Sequence, residues 1–71
     1  MRATPRRYRS LERVRLCEDV PEQGLARGES GTVMHVFETT DAYLVEFVNP
    51  AGGSTRALAE LTPDQLVPAG A

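Results

Sequence analysis

Two side chains in this sequence have the chemistry for nucleophilic catalysis. Cys17 is the only thiol and His35 the only imidazole. A Cys–His pair becomes a nucleophile and its base when the two groups come within hydrogen-bond reach. The two fall on strands expected to be neighbours, so contact is open to them. The plainer reading is a cysteine packed as a small apolar residue and a half-exposed strand histidine. One histidine, one cysteine and scattered carboxylates do not reproduce the spacing of a metal site, and no cofactor is expected. Gly24, Gly28 and Gly31 lack the spacing and the following helix of a phosphate-binding loop, and read as turn glycines. No catalytic residue is therefore assigned, and a binding protein rather than an enzyme is expected.

Charge gives stronger signals than catalysis does. Residues 1–15 carry six arginines against one glutamate, a net +5, while residues 16–71 carry two arginines against nine acids, a net −7. Among those acids Glu18, Asp19, Glu22 and Glu29 crowd one segment rich in glycine. Clustered charge on a loop held by a rigid scaffold suits recognition of a partner protein with a basic surface. Tyr43, with Phe37, adds a possible aromatic groove for such a partner. The alternative partner is nucleic acid: Arg2, Arg6, Arg7 and Arg9 can neutralise phosphates, and Tyr8 can stack on a base.

The elements that must position these residues follow from pattern. With 41% hydrophobic and 25% charged residues in a 71-residue chain, the composition is that of a single small folded domain rather than a disordered one. Apolar runs are far shorter than the roughly 20 residues of a membrane helix, and a cytoplasmic location is expected. The first ten residues, 1–10, read as a flexible Arg-rich arm, and 11–69 as the folded unit.

Within that unit, Glu12–Cys17 alternates, with Val14 and Leu16 on one face and Arg13 and Arg15 on the other. Residues 18–31 form a long loop with Val20 and Leu25 as inward anchors. Strands are expected over 31–38 and 42–48, the latter with Tyr43, Val45 and Phe47 on one face. Asn49-Pro50-Ala51-Gly52-Gly53 closes a hairpin. Thr55–Leu61 reads as a fourth strand, with a short helix as the competing assignment. Thr62-Pro63-Asp64-Gln65 has the N-cap, the proline and the capping-box glutamine of a single 3₁₀ turn before a last strand at Leu66-Val67. The fold class expected is all-β: a small five-stranded SH3-like barrel, closed so that no strand edge is left exposed.

Several blocks carry a resemblance. They are Val14–Leu25, Arg27–Val33, Tyr43–Val48, Ala57–Leu61 and Asp64–Leu66, which in this order and spacing resemble the small bacterial domain-of-unknown-function family numbered 4926 over residues 13–67. More distantly, the skeleton is similar to SH3-like accessory modules: the PsaE-type subunit of photosystem I, the β subunit of nitrile hydratase, and KOW domains. The likeness to accessory subunits, with the missing catalytic inventory and the acidic loop, leads to the expectation of a non-enzymatic accessory or regulatory module that stabilises or neutralises a partner. Gly31, Val33 and Val36 match the glycine and hydrophobic pattern of a KOW motif, but the acidic residues around them depart from the basic setting of RNA-binding KOW domains.

Overall fold

The computed structural model describes residues 8–69, and they form a single antiparallel sheet. Its strands are β1 (Arg13–Leu16), β2 (Ser30–Phe37), β3 (Ala42–Val48), β4 (Thr55–Leu61) and β5 (Leu66–Pro68). A 3₁₀ turn at Pro21–Gln23 lies within the β1–β2 connection and another at Pro63–Gln65 precedes β5. Strand order across the sheet is β4-β3-β2-β1-β5. No helix among the described residues is long and apolar enough to cross a membrane.

Alternation decides which face is buried. Val14 and Leu16 of β1, Val33 of β2, Tyr43, Val45 and Phe47 of β3, Ala59 and Leu61 of β4 and Leu66 of β5 are all buried together. The opposite face carries the row Arg13–Thr32–Glu46–Leu58, one residue from each of β1 to β4 in register. Gly31 is required where β2 leaves the loop. A Cβ there would stand 2.7 Å from Val45 Cγ1 and 2.8 Å from the Glu46 carbonyl oxygen, closer than packed atoms approach. The ladder of β2 slips between Val33 and His35, leaving Met34 as an extra residue, and both Met34 and His35 face solvent.

Two expectations need correction. The barrel is not closed through backbone pairing, because no ladder joins β4 to β5 among the described residues. The reason is β5 itself, which has three residues, is used in pairing with β1, and ends at Pro68, which has no N–H to give. The second correction concerns Tyr8, expected on a flexible arm and free to stack on a base. It is buried, its ring meets Tyr43 edge-on at 5.3 Å, and its hydroxyl donates to the Leu66 carbonyl at 3.3 Å. Its amide in turn donates to the Tyr43 hydroxyl at 3.1 Å. Both phenols thus have hydrogen-bond partners, as buried tyrosines require. The folded unit includes residue 8, earlier than the boundary at 11; Arg2, Arg6 and Arg7 of the expected arm lie outside the described residues.

β4 is a strand and not the competing helix. Its alanines face inward, Ala59 buried and Ala57 partly so, while Arg56, Leu58 and Glu60 are exposed. The second 3₁₀ turn has the local chemistry expected of it: Pro63 opens it and the Thr62 amide donates to Gln65 Oε1 at 3.0 Å.

Candidate binding surface

The connection from β1 to β2 is long, yet little of it is loose. At its base, Leu16 donates its amide to the Glu29 carbonyl and Gly28 donates to the Leu16 carbonyl, both at 2.9 Å. Further out, Val20 and Leu25 form an isolated antiparallel bridge with reciprocal bonds of 2.9 and 3.1 Å, and both side chains enter the core. Between them the 3₁₀ turn at Pro21–Gln23 ends at Gly24, whose φ of 69° is the left-handed conformation that reverses the chain at low cost to glycine.

The acidic side chains contribute to this order. Asp19 Oδ1 accepts the Arg27 amide at 2.8 Å, and Glu29 Oε2 accepts the Ala26 amide at 2.8 Å. Glu29 Oε1 is paired with Arg56 Nη1 at 2.6 Å, and Arg56 Nη2 donates to the Gly24 carbonyl at 2.8 Å. Arg56 therefore ties the loop to β4. Glu18 Oε2 accepts from Gln65 Nε2 at 3.3 Å, and Cys17 Sγ donates to the Asp64 carbonyl at 3.1 Å, so the start of the loop is tied to the second 3₁₀ turn. Glu22 stands exposed on the first 3₁₀ turn with no hydrogen bond or ion pair among the described residues. Glu18 and Asp19 are exposed as well, and Glu29 is half-buried.

The surface is thus an ordered acidic platform, and it differs from expectation in one member. Tyr43 is 1% exposed and packs in the core beneath Tyr8, so it cannot touch a partner. Phe37 is half-buried with His35 edge-on at 4.6 Å. Cys17 and His35 are not brought together. Continuing the β1–β2 register sets His35 beyond the start of β1 while Cys17 follows its end, a separation of roughly 20 Å at the rise of an extended strand. Arg56 and Gln65 are the residues that sequence reasoning missed. The one available signal was that Arg56 is one of only two basic residues in the acidic 16–71 segment.

A shallow cleft of about 310 Å³ adjoins the platform, lined by Arg13, Glu29, Ser30, Val48 and Pro50. Its one carboxylate is already held by Arg56 and the Ala26 amide, and no thiol or imidazole lines it. The cleft offers a contact surface and no nucleophile–base pair.

The family model for a domain of unknown function, DUF4926, matches residues 10–68. The chain belongs to the DUF4926 family. No curated protein and no solved structure matches it. The DUF4926 match takes in all five strands and the whole acidic loop, while Tyr8 lies just ahead of it.

Proposed function

We propose that this DUF4926 protein is a non-enzymatic accessory module that binds the basic surface of a partner protein through Glu18, Asp19 and Glu22. The observation that carries the reading is the tethering of the 18–29 loop. Val20 and Leu25 anchor it in the core and Arg56 clamps it to β4, so the backbone that carries its exposed carboxylates is held in place before any partner arrives. Such a loop gives up little conformational entropy on binding. The separation of Cys17 from His35 supports a binding role over a catalytic one. The strand order β4-β3-β2-β1-β5, with a 3₁₀ turn before the last strand, supports reading the sheet as an SH3-like one left unclosed.

Capture of the tagged chain's partners from its native lysate, with nuclease added to half the sample, tests the reading. One stoichiometric protein that survives nuclease, and is lost with Glu18→Arg/Glu22→Arg, is the expected result. Enrichment that disappears with nuclease overturns it.

That second outcome corresponds to nucleic-acid binding through the N-terminal arginines. It draws support from Arg9, Arg13 and Arg15, which have no ion pair among the described residues. It loses Tyr8, whose ring is committed to the core. Binding of this kind weakens steeply with salt and with removal of the positive charge of Arg2, Arg6 and Arg7.

A further inference from the structure

The two edges of the sheet are treated differently. β5 is short and ends in proline, two devices that blunt an edge against pairing with another chain. β4 has seven residues and no proline; a bulge at Arg56 interrupts its ladder with β3, Ala57–Leu61 pair regularly, and its outer side is left without a partner strand among the described residues. Leu58, at its centre, is 53% exposed.

Within β4, the segment Arg56-Ala57-Leu58-Ala59-Glu60 is complementary to itself when reversed about Leu58. We infer that β4 pairs antiparallel with β4 of a second copy of the chain, with the two-fold axis passing through Leu58. In that register Leu58 faces Leu58, Ala57 of each copy faces Ala59 of the other, and Arg56 of each faces Glu60 of the other. Opposite charges placed directly across a strand pair stabilise it. Slipping the register one way sets Arg56 against Arg56, and slipping it the other way sets Glu60 against Glu60. A two-residue slip leaves Leu58 opposite Arg56 or Glu60, and an odd slip turns the exposed face of one strand to the core face of the other. The central register alone matches all pairs from Arg56 to Glu60, and a two-fold contact of this kind closes on itself as a dimer. Arg56 keeps its bond to Glu29 and takes a second carboxylate from the other copy, since a guanidinium has five donors. The pairing shares Arg56 with the clamp on the acidic loop but uses none of Glu18, Asp19 and Glu22, and it does not depend on their contact with a partner protein.

Sedimentation of the full chain over a range of concentrations tests the dimer. The expected result is a twofold rise in mass with concentration, accompanied by slower amide exchange at Ala57–Leu61. Glu60→Arg and Leu58→Lys alter exposed side chains, so each should keep the fold by circular dichroism and remain monomeric. A wild-type chain that stays monomeric overturns the proposal, and so does a dimer that survives either substitution.

Discussion

Two connections leave the same end of the sheet, and they are held by different means. The β3–β4 hairpin is closed by its own residues: the Gly52 and Gly53 amides donate to the Asn49 carbonyl at 3.2 and 2.7 Å, and the Ala51 amide donates to Asn49 Oδ1 at 2.9 Å. None of its side chains reaches the core. The β1–β2 connection is held by residues distant in sequence, with Arg56 reaching it from β4, Gln65 from the second 3₁₀ turn, and its own Val20 and Leu25 set into the core. Short turns are local chemistry, whereas a long loop stays ordered only where the rest of the fold holds it. That difference is why the acidic loop, and not the hairpin, is the candidate recognition surface.

The comparison breaks most visibly at Leu25. Leu25→Ala empties a core position and should cost about 2–5 kcal/mol, whereas Pro50→Ala in the hairpin should stay within about 0.5 kcal/mol. Thermal melts of the two variants side by side check this. Next comes Gly31→Ala, where the new methyl group meets Val45 and the Glu46 carbonyl; a loss of about 1–3 kcal/mol is expected. Its counterpart Gly52→Ala projects into open space and should leave the denaturation midpoint almost unchanged.

Smaller effects sharpen the picture. Asp19→Ala removes the acceptor of the Arg27 amide and should cost about 1 kcal/mol, with faster hydrogen exchange at that amide. Arg56→Ala breaks an ion pair whose side chains are 40% and 32% exposed, so solvent screening holds the loss of global stability to about 0.5 kcal/mol. Its clearer signature is local: exchange should quicken through residues 24–29 while the 49–54 amides stay as they were.

How far the fold was legible depends on the range of the interactions that make it. Alternation placed β3 and β4 at their observed bounds, and Val20 and Leu25 stood out as apolar residues in a polar loop. Tyr8 did not, because among arginines it reads as part of a wet tail, and its partners Tyr43 and Leu66 are remote in sequence. Tyr43 shared a face with Val45 and Phe47, so the period that identified the core already argued against a peptide groove there. Barrel closure failed on the length of one strand, which a Pro-ended dipeptide pattern leaves undefined. At the candidate surface the acids were legible as charge, but not as hydrogen-bond acceptors folding their own loop. That role depends on Arg56 and Gln65, whose approach only the sheet arranges.

The measurement closest to the central claim is partner capture from nuclease-treated native lysate with three chains in parallel: wild type, Glu18→Arg/Glu22→Arg, and a hairpin control, Gly52→Ala. The expected result is one protein retained by the wild type and the hairpin control and lost from the loop variant, with all three chains folded. Equal retention by the loop variant would contradict the account.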